Sequence, residues 1–443
     1  MNLNSIVLMR RYAVAVLLLF VSALSFAQDN APVVSLSKDS AEACYQSGVD
    51  LFSDGRYEEA AAMLRKAAES GHADAQYDYG LCCFNGNGIT EDKGEAVVWF
   101  RKAAFLGLPV AQYTMGNCYE YGYGVEQSSK SAVEWYMLSA GQGYADAQAA
   151  LGIAYYSGVG VEQDNQIAAE WFRRAAEQGN ADAQSYLGTF YANGIVVQQS
   201  GYKAALWYQK AADQGHPEGL YNLGYCYEFG VGVDWDEDKA MELYEAAASA
   251  GLAIAQLDLA MYYIERDNLG DDEIALEWLY AAVAQDYPDA QYLFGQLCYE
   301  GRLIGKDQER AARWFAMAAA QEHTDAQCDL GFCYLTGQGV RQDVEIAVRW
   351  FVKAAEQGNV RAQHNIGVCY YEGLGLEQSY EEAVKWFTLA ADEGYPDSEY
   401  YLGVCYNNGQ GVEKSRSTAV KMLRRAKKSG NEEASEALKI LSE

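Results

Sequence analysis

Small and apolar residues return along this chain with a long, regular period. The segments ADAQYDYG ending at Gly80, PVAQYTMG ending at Gly116 and ADAQAALG ending at Gly152 open a series. It continues at Gly188, Gly224, Ala260, Gly295, Gly331, Gly367 and Gly403. The spacing is 36 residues apart from one interval of 35, and Gly48 begins the series 32 residues before Gly80, which makes eleven repeats. A second landmark keeps step. Trp99, Trp135, Trp171, Trp207, Trp278, Trp314, Trp350 and Trp386 recur in the phrase A-x-x-W-[FYL], while Trp235 falls outside it.

Polar punctuation divides each period into two helices. Asp92, Ser128, Asp164, Ser200, Asp236, Asp271, Asp307, Asp343, Ser379 and Ser415 hold one equivalent position before the tryptophan. Their side chains accept hydrogen bonds from the unpaired amides of a first helical turn, so the pattern predicts N-caps there. Gly71, Gly107, Gly143, Gly179, Gly215, Gly251, Gly358, Gly394 and Gly430 hold the matching stop, where glycine takes the left-handed conformation that ends a helix. Helix A therefore carries A-x-A-Q-x-x-L-G-x-x-Y, a Gly-rich loop follows, and helix B carries W-[FY]-x-x-A-A. The small residues permit close approach, and Leu, Tyr and Trp fill the layer between repeats. One such pair cannot bury this surface alone, so the expected fold is an all-α solenoid of about eleven helix-turn-helix repeats over residues 40–443. Residues 432–443 read as a lone capping helix. Ala260, the lost loop residue after it, and Glu265-Arg266-Asp267-Asn268 in place of Gly-x-Gly break the pattern, as do Asp286 and Glu322 at stop positions. These breaks read either as drift or as a bend at 253–287.

The four landmarks together resemble the Sel-one-like repeat family, a tetratricopeptide-like repeat with a longer inter-helix loop, over residues 40–443. The resemblance implies a right-handed superhelix with helix A lining the concave side, and adaptor or scaffold roles in protein complexes. It also brings an alternative, an exported hydrolase or cell-wall enzyme, since some exported relatives have been linked to β-lactam binding. A structural spacer is the third reading.

Composition narrows the partners. The chain has 33 basic and 62 acidic residues, a formal charge of −29. Nucleic acid and anionic membrane both need basic patches, so neither is an expected partner. Neutral or basic protein segments are favoured. Arg10 and Arg11, the apolar run Tyr12–Leu24 and Ser25-Phe26-Ala27 read as a secretory signal peptide over residues 1–27, followed by a short linker, 28–39. A start at Met9 leaves this reading unchanged. Its removal gives 31 − 62 = −31 and places the chain in the periplasm, the extracellular space or the cell envelope. The bland alternative is an uncleaved anchor, but the run is short for a membrane span of about 20 residues.

Motifs of catalysis are weak. Gly-x-Gly recurs in most repeats but lacks the strand and third glycine of a dinucleotide site, so these are turns. His72, His216 and His323 occupy one slot in different repeats and cannot converge on a metal, and His364 lies on helix A. No nucleophile elbow or His-Glu-x-x-His is present. No cofactor, metal or enzymatic activity is expected. Six of the ten cysteines (82, 118, 226, 333, 369 and 405) sit two residues after the helix A glycine and read as small buried hydrophobes. Some cysteine-rich members of the family join helix B to the next helix A by a disulfide, but here the matching helix B ends carry Ala-Ala. The partner surface is expected on helix A, with Tyr77, Asp78, Tyr113, Asn117, Tyr221, Asn222, Tyr225, Tyr292, Asn365 and Tyr400 as candidates. Tyrosine offers wide contact area at low entropy cost. The competing reading is that these rings pack inside the solenoid. Lysines of a carboxylate clamp are absent, and Arg361 is the one basic residue six positions before the glycines.

Overall fold

The structure, a computed structural model, describes residues 37–266 and 270–442. The expected signal segment and nearly all of the linker lie outside the described residues. Among the described residues there are 23 helices and no strand. Packing divides the chain into two compact units, one ending at Ala250 and the other beginning at Gly251. The first holds six A–B pairs, from Lys38–Ser53 with Tyr57–Glu69 to Pro217–Phe229 with Glu237–Ser249. The second holds five, from Ala253–Arg266 with Asp271–Ala284 to Pro396–Asn408 with Arg416–Lys428, and then the capping helix Glu433–Ser442. The solenoid thus starts at Lys38 rather than residue 40, because Ser37 already caps the first helix by accepting from the Ser40 amide.

The predicted helix B caps work as expected. Asp92 accepts from Glu95 N, Ser128 from Ser131 N and Asp343 from Ile346 N. Asp271 is the exception. With the loop one residue shorter, Gly270 (φ 97°) takes the cap position and Asp271 becomes the first helical residue, 3.7 Å from Arg266 Nε.

The periodic glycine of helix A has a packing cause. A Cβ on Gly152 would lie 2.5 Å from Phe172, the ring that follows Trp171 on the same repeat's helix B. That ring is fully buried. Gly80 meets Phe100, Gly331 meets Phe351 and Gly367 meets Phe387 in the same way. The Ala260 departure is local. Its repeat offers Leu279 instead of an aromatic ring, and both side chains are fully buried. Leucine alone does not require alanine, since Gly48 and Gly403 also face leucines, Leu64 and Leu423.

The second glycine of Gly-x-Gly serves the next contact along the stack. Gly160 has φ +76°, and a Cβ there would stand 2.4 Å from the Ser129 carbonyl oxygen of the preceding repeat. Val196 and Leu303 occupy this slot at φ 53° and 61°, and Asp286 and Glu322 hold the stop slot at φ 56° and 69°. The fold therefore imposes the left-handed conformation even where the sequence departs from glycine. A β-branched residue is strained there by about 1–3 kcal/mol, and glycine's extra freedom in the unfolded chain offsets part of that. Val196→Gly and Glu322→Gly are each expected to raise stability by about 1 kcal/mol, read as an increase in urea midpoint.

A buried polar spine ties neighbouring repeats. Gln148 Nε2 donates to the Ala140 carbonyl of the preceding helix B at 3.3 Å, and its Oε1 accepts from Gln178 Nε2 at 2.8 Å. The same exchange joins Gln112 to Ala104 and Gln142, Gln184 to Ala176 and Gln214, and Gln327 to Ala319 and Gln357. Two spine oxygens, Gln76 Oε1 and Gln363 Oε1, are buried without a partner. The residues thirty positions on explain why: Leu106 and Glu393 stand where the other repeats have the donating glutamine. A buried acceptor left unpaired costs about 1–3 kcal/mol. Leu106→Gln and Glu393→Gln are each expected to stabilise by about 1 kcal/mol in thermal or urea unfolding, and neither variant doing so would sink the pairing.

Candidate partner-binding site

The cysteines and histidines belong to the scaffold. All six periodic cysteines are buried, and burial pushes the thiols of Cys82, Cys118 and Cys369 up to about 11, which keeps them protonated. His72, His216 and His323 cap helix A by accepting a backbone hydrogen bond at Nδ1, while Nε2 of each meets Glu42, Asp182 or Asp289 on the preceding helix A. Asn180, Asn359 and Asn431 do the same, donating from Nδ2 to Asp146, Asp325 and Asp397 at 2.9, 2.9 and 2.7 Å. The acids near the start of helix A thus clip each repeat to the next. A period of 36 in the cap residues carries this signal in the sequence, though its partner is visible only in three dimensions. Among the described residues no cluster of three or more His, Cys, Asp or Glu could hold a metal ion. No described helix is long and apolar enough to cross a membrane.

The candidate tyrosines are half-buried except Tyr225, which is exposed. The row three before the glycine lies over the second aromatic of its own repeat. Tyr77 rests 5.6 Å from Phe100, Tyr113 5.6 Å from Tyr136, Tyr221 5.3 Å from Tyr244 and Tyr292 5.7 Å from Phe315. Tyr77 Oη accepts from Thr114 at 3.4 Å, and Tyr292 Oη donates to Asp329 at 2.8 Å. Burial raises the Asp78 carboxyl above its ordinary range, and a hydrogen bond from Tyr45 pulls it part of the way back. Asn222 is half-buried on the same face, and Tyr400 packs 5.8 Å from Tyr401. The stripe is therefore shared between internal packing and surface. Its open edge is the row one after the glycine, where Ile153, Tyr225, Met261 and Phe332 are exposed.

Two depressions interrupt this face, one in each unit. In the first unit the tyrosine row is broken by Ala149 and Ser185, and Tyr186 from the following repeat stacks on Phe172 at 4.7 Å instead. An open depression of about 410 Å³ lies at Ala149. Tyr113, Asn117 and Tyr121 wall it, Ala149 and Ile153 form its floor, and Glu120, Asp146 and Asp182 rim it. Tyr136 Oη lies 2.7 Å from Asn117 Oδ1 and also contacts Glu120. The hydrogen bond from His216 holds the Asp182 carboxyl below its ordinary range, so this rim charge persists at neutral pH. In the second unit a hollow of about 390 Å³ is lined by Tyr299, Phe332, Asn365 and Arg361. There Arg361 pairs with Asp329 at 2.9 Å and Asp325 at 3.3 Å. Of the ten candidates, Tyr113 and Asn117 line the first hollow and Asn365 lines the second; Tyr292 touches the second through Arg361 at 3.4 Å. Tyr77, Asp78, Tyr221, Asn222, Tyr225 and Tyr400 line neither of the two. The lining residue that the candidate set passed over is Ala149, whose signal is a gap in the tyrosine series.

Comparison with known proteins agrees with this architecture. The chain is 33% identical to c5321, a protective antigen present in uropathogenic Escherichia coli strains and displaying an SLR fold, with 91% of this chain and 87% of that one covered at a TM-score of 0.62. A Sel1 repeat protein from Oxalobacter formigenes is 26% identical over 62% of this chain and 96% of its own, at a TM-score of 0.46. The cysteine-rich protein B of Helicobacter pylori is 29% identical over 29% of this chain and 95% of its own, at a TM-score of 0.24. No curated protein sequence matches. Plant tetratrico peptide repeats match residues 36–116. The Sel1 repeat itself matches nine consecutive segments, from 109–144 to 396–431, and on that evidence the chain belongs to the Sel1 repeat family.

Proposed function

We propose that this chain is an exported, non-enzymatic scaffold that holds a neutral or basic segment of a protein partner in the depression between the helix A residues of 109–121 and 145–157. Proteins built on this repeat are generally protein-interaction scaffolds. The observation that carries the finer reading is the gap at Ala149. It opens an apolar floor beside two tyrosines, and Glu120, Asp146 and Asp182 surround it with negative charge. Such a site attracts a lysine or arginine at its rim and buries the apolar neighbours of that residue. Export rests on Arg10, Arg11 and the apolar run to Leu24; the mature protein is expected to begin at Gln28, and an intact Met1 or Met9 terminus in the secreted or envelope fraction contradicts it.

A peptide array tests the binding reading. Immobilised 15-residue peptides of varied charge are probed with the mature chain and with Ala149→Trp, whose indole fills the depression. Bound peptides are expected to be enriched in lysine and arginine, and Ala149→Trp is expected to weaken them at least tenfold. Binding indifferent to peptide charge and to Ala149→Trp would move the site elsewhere.

A further inference from the structure

The loop edge of repeats 5 and 6 breaks the repeat pattern in a second way, at positions where packing asks for nothing apolar. Trp235 is the tryptophan outside the periodic series. Its slot holds Gln127, Gln163, Gln199, Gln342 and Gln378 in other repeats. Each of those amides donates to a carbonyl near the end of helix A, as Gln163 does to Tyr156 at 2.7 Å and Gln199 to Ala192 at 2.8 Å. Here an indole replaces that amide and stands 66% exposed. Three exposed apolar neighbours accompany it. Phe229 is 58% exposed in the slot that holds Ser157, Asn193 and Glu300 in other repeats and the equally exposed Tyr121 in one. Tyr202 is 64% exposed where they have Lys130, Gln166 or Glu309, and Leu206 is 47% exposed in a slot that holds Glu134, Glu170 and Arg313 and, in one repeat, the exposed Val98.

These side chains share one edge of the first unit. Tyr202 and Leu206 are one helical turn apart on Gly201–Ala212. The loop carrying Trp235 lies against the start of that helix, with Gly232 so close to the Gly201–Tyr202 peptide that a Cβ would collide with it. Phe229 ends the helix entering the same loop, its ring 4.5 Å from that of Tyr225. Exposed apolar side chains gathered on neighbouring elements mark an interaction surface. The charge around them selects the partner: residues 225–242 contain six acids and one lysine, Lys239 is already paired with Glu242 at 2.8 Å, and on the helix of Tyr202 and Leu206 the two lysines, Lys203 and Lys210, lie over the Tyr191 and Trp207 rings.

We propose that this edge docks a basic amphipathic segment of a partner protein, with apolar side chains on Phe229, Tyr202 and Leu206 and a lysine or arginine over the Trp235 ring. A cation over an indole face gains from the ring quadrupole, and Asp234, Asp236 and Glu237 add charge around it. The surface is separate from the helix A depression, and neither reading needs the other.

The test uses the full mature chain and a fluorescein-labelled amphipathic helix of leucine and lysine, with a leucine–glutamate peptide as control. Trp235→Gln installs the residue that five other repeats carry in this slot, so it is expected to fold at least as well as the parent. Anisotropy is expected to show binding of the lysine peptide, weakening with salt, and at least a tenfold loss in Trp235→Gln and in Phe229→Asn. Ala149→Trp is expected to leave this binding unchanged. Equal affinity of parent and Trp235→Gln, equal binding of the glutamate peptide, or no binding at all overturns the proposal. Loss in Ala149→Trp alone assigns the peptide to the depression and overturns it too. Self-association in sedimentation, or binding to phosphatidylcholine vesicles, that Trp235→Gln abolishes would give the edge a different occupant and likewise overturn it.

Discussion

Phe172→Ala is expected to cost about 3–5 kcal/mol, the range for emptying a buried aromatic site. The ring is fully buried, packs 5.6 Å from Phe190 and stacks at 4.7 Å on Tyr186 of the next repeat. Its loss therefore weakens one repeat and its junction with the following one. Gly152→Ala attacks the same contact from the other side. The added methyl meets the Phe172 ring at 2.5 Å, an overpacking cost of about 1–3 kcal/mol, against about 1 kcal/mol gained from alanine's better helix propensity. The net expectation is a loss of up to about 2 kcal/mol. The Ala260–Leu279 pair supplies the compensation: Gly152→Ala combined with Phe172→Leu is expected to cost less than the two single changes added together. Urea unfolding of the four proteins reads this directly. Strict additivity would mean that the glycine is not there to seat the ring.

Acid is expected to loosen the second unit through His364. This imidazole lies among Phe387, Tyr395 and Tyr401, with Nδ1 3.0 Å from Ser398 Oγ. Burial lowers its pKa from the ordinary 6.5 to about 4, with Asp397 opposing the shift. The folded state then binds fewer protons than the unfolded state between these values. The neutral ring's contribution is complete above pH 6.5 and is lost as pH falls toward 4, to a total of about 3 kcal/mol. Stability measured at pH 7 and pH 4 is expected to fall by about 2–3 kcal/mol more in the parent than in His364→Gln. Equal falls in both proteins would show that the ring takes up its proton without penalty.

The sequence makes the repeat legible because each landmark answers a local need. Asp164 caps, Gly179 stops and Gly152 yields room for a ring, so period, helix number and loop positions follow from residue types alone. Pairings across repeats are harder to read. That Gln148 takes its donor from Gln178, or that Asp146 clips Asn180, depends on which side chains the stack brings together thirty or more residues apart. The site was half legible for the same reason. A row of tyrosines at helix spacing looks alike whether it faces a partner or a neighbouring ring, and Tyr77 and Tyr292 prove to lie over the rings of their own repeats. The informative positions were the gap at Ala149 and the exception at Trp235.

The most direct test of the binding account is position-specific photocrosslinking in the cells that make the protein. A benzophenone amino acid is placed at Ile153, on the floor of the depression, and in a second protein at Arg173, on the exposed side of helix B. The account predicts a protein crosslinked from Ile153 and lost when Ala149→Trp is added, with a basic or neutral segment at the crosslinked site. A partner captured only from Arg173, or the same partner from both positions regardless of Ala149→Trp, would contradict it.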